Sequence, residues 1–244
     1  MLRFDVSISY DRPILDRAAF VVPEGCIAAL LGKNGAGKST LLSAAIGLLP
    51  YRGEISFRGA PLPRRERDRA KIVSLLPQAL PSPALSVRDV VSFGRYSYTT
   101  KLSPSEWKLV DGALERLKIS ELSARLVSTL SGGERQKVFL ASLLVQDAPV
   151  LLLDEPTTYM DLAFRSDFYR ILREERDKGK TVLLVTHDLS DAVAEADRIV
   201  LLEAGKVAFD GTKEECLARP VLEEAFSVRR YLADENGASH VFFR

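Results

Sequence analysis

The sequence predicts an α/β protein: a buried, mainly parallel sheet covered by helices, with an antiparallel β layer near the N-terminus and an inserted helical stretch. Three observations carry this. Residues 26–31, 150–153 and 181–185 are apolar on every side, as strands covered on both faces must be, and a strand, turn and helix rhythm recurs at each. Phe4, Val6 and Ile8 alternate with polar residues, the period of a half-buried antiparallel strand. Between the first two buried strands, residues 80–148 have a different texture, with helical spacing in place of apolar runs.

In chain order, Pro13 breaks the N-terminal strand and residues 18–22 resume it. Residues 26–31 form the first buried strand, which ends in a glycine-rich loop before a helix over 39–46. Pro77, Pro81 and Pro83 mark a loop, after which 87–93 and 107–117 have helical spacing. The chain therefore reads as one unit, 1–244, in which 80–148 is a helical subdomain and the rest a core. The residues beyond His187 leave room for one strand and some helices.

A formal net charge of +1 gives no reason to expect nucleic acid as the main partner, since affinity for phosphate backbones comes from a surplus of Lys and Arg. Cys26 and Cys216 stand in neither metal-ligand nor disulfide spacing, which fits a reducing compartment. Residues 1–20 hold six charges, and no later stretch approaches the roughly 18 uncharged apolar residues of a membrane span. The expectation is a chain that neither is exported nor crosses a membrane, yet is free to dock on a membrane protein from the cytoplasmic side.

Gly32-Lys33-Asn34-Gly35-Ala36-Gly37-Lys38-Ser39 fits G-x-x-x-x-G-K-[ST] and stands between a buried strand and a helix, the context this motif requires. Small residues let backbone N–H groups curl around phosphates, and the helix N-terminus adds its positive end. Lys38 would neutralise the outer phosphates, the Ser39 hydroxyl would ligate Mg²⁺, and Thr40 completes the set of candidate nucleotide contacts. At the end of the strand over 150–153 come Asp154 and Glu155, a poor choice for packing because each charge must be paired, solvated or bound to a cation. A phosphate-bound Mg²⁺ supplies that cation. Asp154 would hold the metal through water, while Glu155 would orient and deprotonate the water attacking the γ-phosphate.

Leu130-Ser131-Gly132-Gly133-Glu134-Arg135-Gln136 is different in kind. Ser131 with Glu134 fits a capping box opening a helix over 136–145, and two glycines expose N–H groups at its tip. This stretch resembles the signature of the ABC ATPase family, and the resemblance covers essentially the whole chain. It implies a P-loop NTPase (RecA-like) core, ATP and Mg²⁺ as cofactors, and a head-to-tail homodimer. In that dimer Ser131, Gly132, Gly133 and Glu134 of one copy close over the γ-phosphate held by the other, so that two ATP molecules are sandwiched. Read locally, Ser131 and Glu134 are only a helix cap.

The same resemblance implies further roles. His187, in Thr186-His187-Asp188, matches the switch histidine at the γ-phosphate; His240 has no such context and is left structural. Gln78, in Leu76-Pro77-Gln78, matches the glutamine that senses metal and water. Asp161 matches a residue that speaks across the dimer, and also suits a helix N-cap before 162–172; both can hold. Tyr10 matches an aromatic that stacks on adenine, or is a strand-end tyrosine that only packs.

Residues 76–78, 90–95 and 154–161 resemble the ATPase subunits of importers for ferric siderophores, ferric citrate, haem and cobalamin. Ala79 and Phe164-Arg165 depart from that branch, where His and His-Gln are frequent. The implied partners are polytopic membrane permease subunits and, indirectly, a substrate-binding protein, with the ATPase peripheral on the cytoplasmic face of the membrane. Two rivals stand beside this: a soluble ABC ATPase of DNA repair or translation, which would carry a coiled-coil insertion or a second cassette, and a small-molecule kinase, which has no need of residues 130–136.

Overall fold

The computed structural model describes residues 1–235 and 238–244; of the side chains of 234–240, which include His240, nothing is described. Its elements run β1 (Leu2–Ser9), β2 (Pro13–Val22), β3 (Ile27–Leu31), α1 (Lys38–Ala45), β4 (Arg52–Phe57), β5 (Ala60–Pro61), α2 (Glu66–Arg69) and β6 (Val73–Leu76). The helical stretch follows with α3 (Val87–Ser92), α4 (Pro104–Arg116) and α5 (Gly132–Gln146), then β7 (Val150–Asp154), α6 (Leu162–Asp177), β8 (Thr181–Val185) and α7 (Leu189–Glu195). The chain closes with β9 (Arg198–Glu203), β10 (Lys206–Thr212), α8 (Lys213–Leu217), α9 (Val221–Phe226), β11 (Arg230–Glu235) and β12 (Ala238–Phe243).

The three all-apolar runs become the centre of a six-stranded sheet ordered β10-β9-β3-β8-β7-β6, parallel except for the antiparallel edge pair β9 and β10. Side chains alternate between its faces. Ala28, Leu30, Leu152, Leu183 and Val185 point to a core shared with α1 and the antiparallel sheet β2-β1-β4-β5. Ile27, Ala29, Leu31, Leu153 and Leu184 point to the opposite core, shared with residues of α3 to α7. That division is why every position in these strands had to be apolar: each fully buried Leu or Val contributes about 1.5–3 kcal/mol from whichever face it lies on. On the helical side Gly94 lets α5 approach closely, since a Cβ there would lie 2.4 Å from the Ser142 carbonyl.

Three details differ from the sequence expectation. Pro13 does not interrupt the strand but begins β2, which is permitted because β2 is an edge strand with no neighbour needing that N–H. Helix α5 starts at Gly132 rather than 136, because the Ser131 cap pulls the two glycines into the first turn. Past His187 lie four strands among the described residues rather than one: β9 and β10 complete the main sheet, and β11 pairs with β12. Val241 and Phe243 of β12 pack on the helical-side core, and the Phe243 amide donates to Ser190 Oγ at 3.4 Å. Both cysteines are buried and unbridged, and burial pushes each thiol up to about 11. No helix of the described residues is long and apolar enough to cross a membrane.

Candidate nucleotide site

Four neighbouring strands deliver the site. In the order β3-β8-β7-β6, the loop after β3 carries residues 32–39, the end of β8 carries His187, the end of β7 carries Asp154 and Glu155, and Gln78 stands just past β6. The register aligns Leu30 with Val185 and Val185 with Asp154, so these groups emerge at one height along the carboxyl edge of the sheet. Parallel sheets characteristically bind ligands there, because strand-to-helix loops converge at that edge.

The loop is shaped by its own backbone. Gly37 takes φ 101°, a left-handed conformation that starts α1, and a Cβ at that position would lie 2.5 Å from Leu15 Cδ2. The Ala36 amide donates to the Lys33 carbonyl at 3.1 Å. Lys38 is buried and folds back over the loop, its Nζ donating to the carbonyls of Gly32 at 2.7 Å and Lys33 at 3.2 Å. Burial lowers the Lys38 pKa, opposed by the nearby charges of Glu155 and Asp154. An ammonium so placed is a cation already drawn out of water and ready for an anion.

Opposite stand the two acids. Asp154 ends β7 buried, and its carboxyl is raised above the usual range by burial, with the Ser39 hydroxyl as its favourable neighbour and Glu155 adding like charge. Its Oδ1 has no hydrogen-bond partner. A buried carboxylate oxygen left orphaned beside a serine hydroxyl and a phosphate-type loop has the donor chemistry of a hard cation site. Glu155 leaves the strand with φ 48°, unusual for a residue with a side chain, and its amide is held by the Val185 carbonyl at 3.0 Å. That turn aims its carboxylate across the cleft, where Gln78 Nε2 donates to Oε2 at 2.7 Å and His187 Nε2 contacts Oε1.

A cleft of about 650 Å³ collects Asn34, Gly35, Gly37, Lys38, Ser39, Thr40, Gln78, Glu155 and His187. Two further lining residues were not anticipated: Arg12 in the turn between β1 and β2, and Ile14 at the start of β2. The only signal for them was their closeness in sequence to Tyr10. Tyr10 itself is not among the lining residues and stands exposed in that turn.

The signature stretch lies elsewhere. Ser131 caps α5, its Oγ accepting from the Glu134 amide at 3.3 Å while Glu134 Oε2 accepts from the Ser131 amide at 2.8 Å. The latter bond chiefly holds the Glu134 carboxyl below its usual range. Ser131 is exposed, and none of Ser131, Gly132, Gly133 and Glu134 lines the cleft of its own chain. Asp161 likewise points away from that cleft: it is exposed and caps α6, accepting from the Phe164 amide at 2.7 Å. Buried Gln136 joins the two regions, its Nε2 donating to the Pro156 carbonyl at 2.6 Å.

This fold, with a lysine-bearing phosphate loop facing a carboxylate, a glutamine and a histidine, defines a nucleotide-hydrolysing domain. Residues 15–158 match the family described as ABC transporter. The chain is 34% identical over 225 residues to the iron(3+)-hydroxamate import ATP-binding protein FhuC of Bacillus subtilis (strain 168), covering 89% of this chain and 84% of that one. It is 38% identical over 219 residues to the hemin import ATP-binding protein HmuV of Nocardia farcinica (strain IFM 10152), covering 88% and 76%. Among solved structures, a chain of an ABC transporter in an inward-facing conformation superposes with a TM-score of 0.85 at 27% identity, covering 100% of this chain and 96% of that one. The chain belongs to the ABC transporter family, and within a transporter it is the subunit that binds and hydrolyses ATP.

Proposed function

We propose that this chain works as a pair, each cradle closed by the helix tip of the other copy, and powers uptake of an iron chelate through separate permease subunits. One observation carries the pairing: the capping serine of α5 is exposed, and it and the two half-buried glycines stand outside the cleft of their own chain, leaving that cleft open on one side. In the closed pair the phosphate loop, with Lys38, grips the β- and γ-phosphates. The Ser131-Gly132-Gly133 tip of the second copy supplies N–H donors to the γ-phosphate, with Asp161 at the seam. Glu155 takes the proton of the attacking water, and Gln78 and His187 hold its carboxylate in place. The exposed Tyr10 ring is assigned to the base.

The residues suit Mg²⁺. Ser39, Asp154 and Gln78 would hold it, and the orphaned Asp154 oxygen supports that assignment. The ion supplies charge neutralisation at the phosphate oxygens. On this reading residues 1–244 act as one unit whose segment 80–148 is a helical subdomain. The subunit sits against its permease at the cytoplasmic face of the membrane, with a substrate-binding protein feeding the other side.

The cargo reading rests on relatives named for iron(3+)-hydroxamate and hemin import, with cobalamin as the runner-up. Reconstitution with the cognate permease and binding protein in liposomes, followed by uptake of ferric hydroxamate, haem and cobalamin, tests it. ATP-dependent uptake of an iron chelate is expected, and uptake of none refutes the cargo. Dilution tests the pairing: specific ATPase activity should fall as subunit concentration drops, and concentration-independent activity refutes it.

A further inference from the structure

Arg165 is one of the departures from the importer pattern and does not line the cleft. It lies on the first turn of α6, the helix that Asp161 caps, and reaches across to the start of α7. Its Nε donates to Asp191 Oδ2 at 2.6 Å and its Nη2 to Asp188 Oδ2 at 2.5 Å, with a second Nη2 contact on Asp191. Tyr169, one turn further along α6, donates its hydroxyl to the same Asp191 oxygen at 2.5 Å.

Asp188 is the residue next to His187. Its two carboxylate oxygens are divided between tasks: Oδ1 caps α7 by accepting from the Asp191 amide at 3.0 Å, and Oδ2 is gripped by Arg165. The Asp188 amide is held in turn by Thr186 Oγ1 at 3.1 Å. The backbone carrying His187 is therefore fixed on its C-terminal side by a guanidinium rooted in α6. Burial alone would raise the Asp188 carboxyl, but the Asp191 amide and Arg165 hold it below its usual range. Burial and the Asp191 charge push the Tyr169 phenol up, so the hydroxyl stays a donor. Arg165 and Asp188 keep their opposite charges around neutrality, and the cluster acts as a fixed clamp.

We propose that Arg165 is a positioning residue for ATP hydrolysis: it ties the helix that begins at Asp161 to the turn that presents His187, and so sets where the imidazole meets Glu155. The inference rests on the roles proposed for His187 and Glu155. Because Asp161 heads the same helix, a displacement of the 156–161 loop by the second copy is passed through Arg165 to the reaction centre. A bidentate guanidinium is the group for this, since it fixes both separation and orientation of two carboxylates.

The test uses the full-length chain with Arg165→Ala, Arg165→Lys and, as reference, His187→Ala. For Arg165→Ala the expected result is a kcat lowered about 10-fold with KM for ATP within about twofold, as for a loss of alignment rather than of binding. Lys, able to reach one carboxylate at a time, should recover part of the loss. The chain has two histidines, so the imidazole NMR signal missing in His187→Ala identifies His187, and that signal should shift in Arg165→Ala. A lowered melting temperature with kcat and the His187 signal unchanged would make Arg165 a plain structural tie and overturn the proposal, as would a loss confined to KM. If His187→Ala is inactive while Arg165→Ala turns over normally, this inference alone fails. Should His187→Ala keep full turnover, the underlying reading falls together with it.

Discussion

Replacing Glu155 by Gln separates chemistry from binding. The two side chains have nearly the same shape, and the strained backbone at φ 48° is unchanged, so neither the fold nor the cleft volume is disturbed. What changes is local. Glu155 offers one oxygen to Gln78 at 2.7 Å and the other to His187, whereas Gln offers a single oxygen and an amide that faces a donor. One hydrogen bond is lost, about 1 kcal/mol at a site open to water, and the proton acceptor is removed. General-base catalysis contributes about 10²- to 10⁴-fold, or about 3–5 kcal/mol in the barrier, so chemistry dominates the outcome. Binding should survive, because removing a negative charge near the phosphates does nothing to weaken their attraction to Lys38. Phosphate release under single-turnover conditions should fall by at least about 100-fold, with the ATP dissociation constant unchanged or lower. Light scattering should show ATP-bound dimers accumulating. A kcat within about threefold of wild type would remove Glu155 from the role of base.

Three further outcomes follow from the geometry. Ser131→Arg loses the α5 cap, about 1 kcal/mol, yet should lower ATPase activity more than about 10-fold by blocking the second copy, with single-copy nucleotide affinity unchanged in a filter-binding assay; undiminished turnover in the assembled transporter refutes the composite site. Gly37→Ala forces a Cβ to within 2.5 Å of Leu15 Cδ2 at φ 101°, so calorimetry should show ATP affinity reduced at least about 10-fold. Glu175 is 3% exposed between Arg116, Lys178 and Lys180. Burial by itself would raise its carboxyl, but hydrogen bonds from Lys178, Lys180 and Arg116 outweigh it and hold the value at about 2, against an ordinary 4.5. Since the folded value is the lower, the pairing stabilises by about 3 kcal/mol above roughly pH 5 and fades as pH falls towards 2. Glu175→Gln should therefore lower the melting temperature at pH 7 by about 6–12 °C and flatten its decline between about pH 5 and 3; parallel pH profiles for the two proteins would refute the assignment.

Contiguous residues determine much of this protein by themselves. The phosphate loop is legible because its parts are neighbours, and a strand before and a helix after are themselves local patterns. Ser131 and Glu134 lie three residues apart, one helical turn, so the capping box and its reciprocal hydrogen bonds could be read directly. The all-apolar runs announced a sheet covered on both faces, since no half-exposed strand keeps such a pattern. Tertiary structure decided the rest, where partners are distant in the chain and leave no periodicity. Gln78 meets Glu155 across 77 positions and Arg116 meets Glu175 across 59. It is strand order, with β8 set between β3 and β7, that brings His187 to Glu155. In the sequence Arg165 stood out only as a departure from the importer pattern; its role became visible once Asp188 and Asp191 were placed opposite it. Local sequence specifies turns, caps and burial through short-range sterics and hydrogen bonds, whereas charge pairs across elements exist only once packing has chosen which elements are neighbours.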